Sequence, residues 1–446
     1  MNRSYLTFFL LGKRYGFNVR KYLKLIRESQ SWNKKKTDDY QNSRLQLLIK
    51  HVYETVPYYK QTFDKLGISP EDIKTKEDLK KIPIVNKQIV TERFNDFLSA
   101  DIAKRQVSKK HTGGTTGVSF EYFIDIEFWG FNWAMKMHTY EQANYVPGRD
   151  KIGVLAGGSL LPQEGMGIKS RLWRYSQNVY SMPITRMNDE ILSGYVSNLK
   201  RLKIKFLRGY PTSVYTLAKH ILNKGNTLPL KAVFTTAEML YSHQRKIIEK
   251  AFDCKVFDQY GCGDGGGHAS ECNVHEGLHH YFETSIMEIL KDGQNAKEGE
   301  TGELVFTSLL NYGMPFIRYA PGDMAVKGNN NCSCGRTSEK ITKIIGRSSD
   351  IIEFSNGNIL NGLSIPFEAW TNKISRFQIV QNEKDTIEVL FVPLSNFNET
   401  DIIKAEEIMH YHCGDGVEVK ISLVNEIPVP KSGKFRYVIS KKNEEY

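Results

Sequence analysis

Short β-rich runs alternate with stretches of helical pattern between residues 120 and 310. The runs cover 152–155, 204–207, 232–235 and 256–257, and the helical stretches lie near 126–142, 188–202, 212–224 and 242–252. Strands that alternate with helices of this length are typical of a mainly parallel sheet with helices on its faces. The pattern therefore predicts an α/β domain.

Regions of different character flank this alternation. Apolar residues at helical spacing, punctuated by prolines, predict a helical N-terminal region over residues 1–100. After residue 278 the pattern changes to β-hairpins, which predicts a β-rich subdomain, and the last hundred residues are typical of a small α+β unit. We expect a large domain at 1–346, a hinge at 347–350 and a small domain at 351–446.

Charge and cysteine content limit the partners. The 446 residues include 61 Lys and Arg against 50 Asp and Glu, a net charge of +11, and residues 1–30 hold seven basic residues against Glu28. This basic segment could rest on an anionic membrane surface, or it could be an amphipathic helix docked on the domain. Later basic residues are scattered among acids, so no nucleic-acid partner is expected.

Six cysteines without a secretory signal favour a reducing cytoplasmic compartment, in the bulk or at the inner face of the membrane.

Two glycine-rich loops carry the sharpest local signals. The first, His111-Thr-Gly-Gly-Thr-Thr-Gly117, can bring backbone N–H groups and hydroxyls up to phosphate oxygens without a Cβ clash. It lacks the Gly-Lys-Ser/Thr of a Walker loop, so a flexible hydroxyl-rich turn is the alternative. The second loop, 258–267, follows a β-rich run and offers Tyr260 for stacking and Asp264 for Mg²⁺. A tight glycine turn is the alternative there.

Three charged residues stand in further motifs of the C-terminal half. Asp323 ends the stretch Ile317-Arg-Tyr-Ala-Pro-Gly-Asp323 and could accept hydrogen bonds from vicinal ribose hydroxyls. Arg347 and Lys434, the latter in Pro430-Lys-Ser-Gly-Lys434, could neutralise phosphate charge. Any one of them alone is more often a surface salt-bridge residue.

In this order and at these separations, the motifs resemble those of the adenylate-forming superfamily of acyl-CoA synthetases. The resemblance is to its phenylacetate-CoA ligase branch with the CapK-like capsule-biosynthesis relatives, and it runs from about residue 44 to the C-terminus. The stretches 51–60, 78–83, 271–272, 277–279 and 332–336 match this branch more specifically than the superfamily loops do. The resemblance implies an adenylate-forming ligase fold whose small mobile C-terminal domain rotates between an adenylation and a transfer step.

The resemblance also implies a role for each site residue. A carboxylic acid would be adenylated with ATP and Mg²⁺, Lys434 would bridge its carboxylate and the α-phosphate, and Asp350 would be the pivot of the hinge. Attack of the carboxylate on the α-phosphate brings two anions together. Positive charge and a loop lined with hydrogen-bond donors would therefore stabilise the transition state. The residues implied to bind the nucleotide are Thr112, Gly113, Gly114, Thr115, Thr116, Gly117, Thr236, Ala237, Glu238, Asp258, Gln259, Tyr260, Gly261, Asp323 and Arg347.

The chain departs from the family pattern at three places. Gly263 and Asp264 stand where Ser or Thr and then Glu are usual, and 118–120 replaces the common Pro and basic residue. The stretch 355–360 departs from the usual Arg-Gly-x-Asn, in a region that helps form the thiol channel of CoA-using ligases. One hypothesis is therefore acyl transfer to a thiol such as CoA, and a second is transfer to an amine or hydroxyl of a sugar in capsule or O-antigen biosynthesis. A non-catalytic nucleotide-binding relative is the third.

Cys272, His279, Cys332 and Cys334 are a candidate metal site. Three thiolates and one imidazole can make a closed tetrahedral Zn²⁺ site, which is structural because no position remains for water. Buried free thiols are the alternative, and Cys254 could replace one ligand. The same four positions resemble a zinc site of the ligase branch, which favours the metal.

Aromatic residues suggest where the acyl group could bind. An acyl pocket could be lined by Trp129, Phe131 and Trp133 together with 210–211 and 265–267. Residues 129 and 133 share a helix face, an arrangement that is more often core packing than substrate contact.

Overall fold

The structure is a computed structural model that describes residues 6–7, 9–10, 12–13, 17–111, 120–156, 175–184, 187–347, 351–356, 359–361, 367, 370, 373–428 and 437–440. Numbered in chain order from residue 17, the α-helices are α1 Val19–Ser29, α2 Lys34–Thr55, α3 Pro57–Leu66, α4 Lys87–Glu92, α5 Ile126–Glu141, α6 Asp189–Arg201, α7 Pro211–Asn223, α8 Ser242–Phe252 and α9 Glu399–Cys413. Short 3₁₀ turns lie at Pro70–Asp72, Lys76–Lys81, Phe94–Phe97 and Ile102–Lys104.

The strands fall into a large and a small group. Those of the large group are β1 Val85–Asn86, β2 Val107–His111, β3 Glu121–Asp125, β4 Ile152–Ala156, β5 Val179–Pro183, β6 Phe206–Gly209, β7 Ala232–Thr236, β8 Lys255–Cys262, β9 Gly267–Glu271, β10 Leu278–His280, β11 Ser285–Lys291, β12 Gln294–Asn295, β13 Thr301–Ser308, β14 Tyr319–Ala320, β15 Asp323–Lys327 and β16 Lys340–Arg347. Those of the small group are β17 Ile351–Glu353, β18 Ile359–Asn361, β19 Ile374–Glu383, β20 Thr386–Pro393, β21 Glu418–Leu423 and β22 Val438–Ser440.

One large sheet joins the parallel and the β-rich parts of the chain. Its order is β1-β14-β13-β15-β16-β10-β9-β8-β7-β6-β4-β5, with β11 and β12 branching from β13. The strands from β5 to β8 are parallel, and those from β8 to β13 along this order pair antiparallel. The carboxyl ends of the parallel strands therefore meet at one edge, where ligands bind in open α/β sheets.

The parallel strands are buried on both faces, because helices cover each side. On one face Phe206 and Phe234 pack against Tyr140 of α5. On the other face Leu207 and Val233 pack against α6, α7 and α8. Strands buried on both faces are continuous apolar runs, which explains the sequence pattern of this region.

The N-terminal helices cover the β-rich side of the large sheet. Tyr22 of α1 stacks on Phe131 of α5 with ring centroids 4.6 Å apart, so α1 is docked on the domain. Leu6, Phe9 and Leu10, which precede it, are exposed. Among the described residues, no helix has the length and apolar character needed to cross a bilayer.

The C-terminal unit is built around its own sheet. Strands β21, β20, β19 and β22 lie in that order, and α9 packs on them through Ala405 and Met409. The architecture confirms the predicted class, a large α/β domain with a β-rich part and a small α+β C-terminal domain.

One buried carboxyl in this fold gives a pH-dependent prediction. Glu283 is fully buried and accepts a hydrogen bond from Ser29, and burial raises its pKa to about 7. The folded state therefore holds a proton that the unfolded chain releases near pH 4, so stability falls as pH rises through this window. We expect Glu283→Gln to remove a fall of roughly 3 kcal/mol between pH 4 and 8, as measured by urea unfolding.

Glu288→Gln is the matched control, because the Glu288 side chain is only 12% exposed but is paired with Arg318. Arg318 donates to its two carboxylate oxygens at 3.0 and 3.1 Å. Removing that charge leaves the guanidinium buried without its counterion, so we expect a loss of about 3 kcal/mol at neutral pH. Parallel pH profiles for wild type and Glu283→Gln would contradict the assignment.

Candidate active site and metal centre

The ends of β7 and β8 form one side of the candidate nucleotide site. Thr236 lies in register with Gln259, at the edge where the parallel strands end. Ala237 follows in a left-handed conformation with φ 71°, and the next residue, Glu238, accepts hydrogen bonds from the backbone N–H and hydroxyl of Thr212. Gln259 Nε2 is buried and meets no acceptor among the described residues, so a donor remains for a ligand.

Asp258, one residue before Gln259, takes part in a charge network. Thr235 Oγ1 donates to its carboxylate at 2.6 Å, and Glu271, which pairs with Arg245 at 2.6 Å, accepts from its backbone N–H. Burial and the nearby charge of Glu271 raise the pKa of Asp258 to about 7. Asp258 thus joins β8 to its neighbours, a role that the sequence motif alone did not indicate.

Tyr260 and Asp323 meet across the β-rich part of the sheet. Tyr260 Oη donates to Asp323 Oδ2 at 2.7 Å, and the ring of Tyr260 stacks on Phe306 with centroids 6.1 Å apart. Asp323 begins β15, in register with Arg347 at the end of β16. Tyr260 and Asp323 are therefore adjacent at the candidate site, although they are 63 positions apart in the chain.

The first glycine-rich loop connects two paired strands beside the turn that follows β8. His111 of β2 lies in register with Glu121 of β3, and the ring of Phe120 stacks with that of Tyr122. A Cβ placed on Gly263 would lie 3.1 Å from the Tyr122 hydroxyl. The hairpin that carries the loop is thus held against the second glycine-rich segment.

Asp264 is largely buried in this turn, with both carboxylate oxygens hydrogen-bonded. Tyr319 Oη donates to Oδ2 at 2.7 Å and Cys262 Sγ to Oδ1 at 3.2 Å. A carboxylate has about four lone-pair positions, so these contacts leave acceptor capacity. Coordination of Mg²⁺ by Asp264 stays a prediction.

Several predicted site residues lie outside the described residues. These are Thr112, Gly113, Gly114, Thr115, Thr116, Gly117, Asp350 and Lys434, and the side chain of Arg347 is likewise not described. Among the other predicted residues, Thr236 lies in register with Gln259, and Ala237 and Glu238 follow Thr236. Tyr260, which Gly261 follows, is hydrogen-bonded to Asp323, and Asp323 lies in register with Arg347.

The four predicted metal ligands converge. The ligand atoms of Cys272, His279, Cys332 and Cys334 all lie within 4.8 Å of one another. Cys272 Sγ is 3.8 Å from Cys332 Sγ, and Cys334 Sγ is 3.5 Å from His279 Nε2. Cys254 packs elsewhere, beside the apolar cluster under α8, so it does not replace one of the four.

A hydrogen bond orients the His279 imidazole, and its surroundings lower its pKa. His279 Nδ1 lies 3.1 Å from Ser338 Oγ, which turns Nε2 towards the thiols. Burial and the charges of Arg336 and Lys340 lower the pKa of His279 to about 4, so the ring is neutral at pH 7. A second hydrogen bond of this kind typically orients a metal-ligating histidine. Ser338 therefore contributes to the orientation of His279, a role that the sequence motif did not reveal.

The cluster ties together strands that lead to the nucleotide site. Cys272 directly follows β9, His279 lies in β10, and Cys332 and Cys334 lie in the loop before β16. Strand β9 pairs with β8, which carries Tyr260, and β16 runs from the cluster to Arg347. A closed metal site here would fix the register of these strands.

The predicted acyl-pocket aromatics separate into two groups. Phe131 is buried against Tyr22, so it belongs to the core. Trp129 and Trp133 are partly buried, with ring centroids 6.0 Å apart on one face of α5. These two tryptophans remain candidates for a pocket wall.

Sequence comparisons place the chain among known proteins. Residues 352–441 match the family model of the CapK C-terminal domain. Protein CapK of Staphylococcus aureus is 26% identical over 409 residues, which cover 90% of this chain and 88% of that protein. A phenylacetate-coenzyme A ligase of Thermus thermophilus is 24% identical over 434 residues, which cover 90% of this chain and 95% of the ligase.

Comparison with solved structures agrees at the level of the fold. The crystal structure of 2-hydroxyisobutyryl-CoA ligase in its postadenylation state aligns with a TM-score of 0.71 at 18% identity, covering 94% of this chain and 93% of that chain. The same overall fold, the similarity along about nine-tenths of the chain and the C-terminal family model agree with one another. The chain therefore has the predicted adenylate-forming ligase fold, and its sequence is similar to phenylacetate-CoA ligases and to CapK along about nine-tenths of its length.

Proposed function

We propose that the chain is an ATP-dependent, AMP-forming acid ligase. It adenylates a carboxylic acid and then transfers the acyl group to an acceptor. The observation that carries this proposal is the 2.7 Å hydrogen bond between Tyr260 and Asp323. Gln259, the residue before Tyr260, adds a buried donor without a partner among the described residues. Relatives that are named phenylacetate-coenzyme A ligase support it along most of the chain.

In this proposal each part of the site has one task. Asp323 accepts hydrogen bonds from the ribose hydroxyls, and Tyr260 holds its carboxylate in place. The loop 112–117 binds the phosphates through backbone N–H groups and hydroxyls, and Asp264 would hold Mg²⁺, which would offset their negative charge. Lys434 and Arg347 stabilise the charge that develops as the carboxylate oxygen attacks the α-phosphorus and pyrophosphate leaves.

We propose domain boundaries that follow from the same assignment. The large domain covers 1–346, the hinge 347–350 with Asp350 as its pivot, and the small domain 351–446. Strand β16 ends at Arg347 and β17 begins at Ile351, which supports a hinge between them. A ring contact of 5.2 Å between Tyr241 and Tyr437 joins the two domains across it.

We propose that Cys272, His279, Cys332 and Cys334 hold a structural Zn²⁺. The donor set fits, since three thiols and a neutral imidazole face one point and would leave no open position. Bound zinc would supply folding energy and fix the β9–β10 turn to the loop before β16. It would take no part in the chemical steps.

Two acceptors are proposed, and different observations favour them. CoA is favoured by the phenylacetate-coenzyme A ligases among the relatives. A sugar amine or hydroxyl in capsule or O-antigen synthesis is favoured by the CapK C-terminal family and by the altered stretch 355–360.

Exposed Leu6, Phe9 and Leu10 in the basic N-terminal segment support peripheral contact with the inner membrane surface.

The test of the proposed function is acid-dependent ATP–pyrophosphate exchange with Mg²⁺. The panel covers aryl, fatty, hydroxy and amino acids, and the active acid is then paired with CoA or amino sugars. Exchange that requires one acid class establishes adenylation. The acceptor with which the protein releases AMP over multiple turnovers is the acceptor of the transfer step. A folded, metal-loaded protein that binds ATP but shows no exchange with any acid would favour the non-catalytic relative.

The ribose contact gives a sharper prediction. We expect the wild type to use ATP about 10-fold or more better than 2′-deoxy-ATP, because a charge-assisted hydrogen bond contributes about 1.5–3 kcal/mol. Asp323→Ala should abolish this preference, and Tyr260→Phe, which removes the 2.7 Å hydrogen bond to Asp323, should weaken it. The measurement is kcat/KM for both nucleotides in the exchange assay. Equal discrimination in all three proteins would refute the assigned contact.

A further inference from the structure

One face of α5 looks onto the sheet below the candidate nucleotide site. Trp129, Trp133, Lys136 and Tyr140 are spaced by three or four residues and therefore share this face. The ring of Tyr140 lies 4.4 Å from that of Phe234 in β7, which fixes the orientation of the face. Lys136 Nζ lies 4.4 Å from the ring centroid of Trp133 and 5.7 Å from that of Tyr140.

Arg208 projects from the sheet towards the same space. It lies in β6, in register with Val154 of β4 and with Phe234 of β7. Neighbouring residues in register on parallel strands project to the same face of a sheet, and Phe234 contacts α5. Arg208 Nε is buried and has no acceptor among the described residues.

Lys136 and Arg208 are here named the cationic pair. No ion pair links either residue to an acid within the described part of the chain. Burial and the charge of Arg208 lower the pKa of Lys136, which agrees with two cations held close together. Ser181 Oγ, on the same face beyond Val154, is also buried without a described partner.

Buried polar and charged groups are costly unless a partner satisfies them. Lys136, Arg208 and Ser181 are half-buried residues, and Arg208 Nε and Ser181 Oγ are buried atoms without a described partner, so together they form a surface that an anion would complete. Their position relates this surface to the nucleotide site, because Gln259 is in register with Thr236, two residues beyond Phe234 towards the carboxyl edge. On α5, Trp133 and Trp129 lie about one and two helical turns from Lys136 towards the N-terminus of the helix.

We propose that the cationic pair forms the floor of the acyl site and binds an anionic group at the far end of the acid. The substrate is then a carboxylic acid that carries a second carboxylate or a phosphate, with its middle between the tryptophans of α5 and the sheet. This inference rests on the proposed adenylation and specifies its substrate class. A neutral acid such as phenylacetate would leave both cations unpaired.

The experiment compares matched acids in the ATP–pyrophosphate exchange assay. Neutral monocarboxylates, including phenylacetate, are set against α,ω-dicarboxylates from succinate to suberate, 4-carboxyphenylacetate and phosphonoalkanoic acids of similar length. We expect the wild type to favour the dianionic member of a pair by about 10- to 100-fold in kcat/KM. The carboxylate and phosphonate arms distinguish the two forms of the second anion.

Lys136→Met and Arg208→Met should each remove this preference, because kcat/KM should fall more for the dianionic acids than for the neutral ones. Lys231→Met is the control, since its ammonium also lies over a ring, 5.8 Å from that of Phe206, but at the amino end of β7. It should keep the wild-type preference. A wild type that uses neutral acids best, with unchanged specificity in both variants, would overturn the inference and leave adenylation intact.

Thermal unfolding with the same acids provides a readout that does not depend on turnover. Dianionic acids should raise the unfolding temperature of the wild type but not that of Lys136→Met or Arg208→Met. If no acid supports exchange, adenylation fails, and this measurement alone decides whether the cationic pair binds anions. Variants that are equally destabilised with and without acid, beside a wild type that no acid stabilises, would assign the pair a structural role.

Discussion

Replacing Lys434 by alanine is expected to lower acid-dependent ATP–pyrophosphate exchange by about 10²- to 10³-fold, the usual cost of removing one donor that stabilises developing charge. The attacking carboxylate and the α-phosphate both carry negative charge, and a single ammonium between them is lost without a substitute. The effect should fall on kcat, because the charge is greatest in the transition state. The measurement is exchange with the acid that the wild type prefers.

Lys431→Ala is the matched control for this variant. It removes the same charge three residues away in Pro430-Lys-Ser-Gly-Lys434 and should retain exchange. A second measurement supplies the preformed acyl-adenylate with the acceptor. If Lys434 acts only in the first step, Lys434→Ala should complete this transfer at the wild-type rate, and equal loss of both steps would contradict the assigned role.

The secondary structure that could be predicted from the sequence is local. The helical stretches 126–142, 188–202, 212–224 and 242–252 correspond to α5, α6, α7 and α8 within one residue at either end. The β-rich pattern after residue 278 did not indicate which of its strands pair over long separations. Strand β10 pairs with β16, about sixty residues later, and β11 pairs with β13. Such partners depend on tertiary contacts that local periodicity does not contain.

The same distinction applies to the site. The loop motifs located Gln259, Tyr260 and Asp323 because their residue types and spacing are unusual in themselves. The contacts that set their chemistry come from distant positions, as in the hydrogen bond from Tyr319 to Asp264 across 55 residues. The cationic pair likewise depends on the register of β6 with β7, which no sequence motif marks.

Removal of the metal is the second large effect we expect. Purified protein should contain one zinc per chain, and Cys272→Ser or Cys334→Ser should lose it and unfold about 10 °C or more below the wild type. The reason is geometric, because Cys272, His279, Cys332 and Cys334 join the β9–β10 turn to a loop about fifty residues later. Metal analysis and thermal unfolding measure the two parts of this prediction.

Cys254→Ser is the matched control, since this thiol packs beside an apolar cluster away from the four ligands. It should keep its zinc and unfold within a few degrees of the wild type. Cobalt substitution adds a direct test, because a tetrahedral site with three thiolates gives intense thiolate-to-cobalt absorption that Cys334→Ser should weaken. Full zinc content in both ligand variants would sink the assignment.

The consequence should extend to the nucleotide site through the strands that begin at the cluster. Strand β16 starts at Lys340, next to the ligand loop, and ends at Arg347, while β8 pairs with β9 just before Cys272. Without the metal, amide hydrogen exchange should accelerate in β9, β10 and β16 before it does in β4 and β6, which are buried between helix layers. ATP affinity should fall with it, because Tyr260 and Asp323 lose their fixed separation, and restoring zinc should recover both. Uniform acceleration through all of these strands would instead mean that the metal stabilises the domain as a whole.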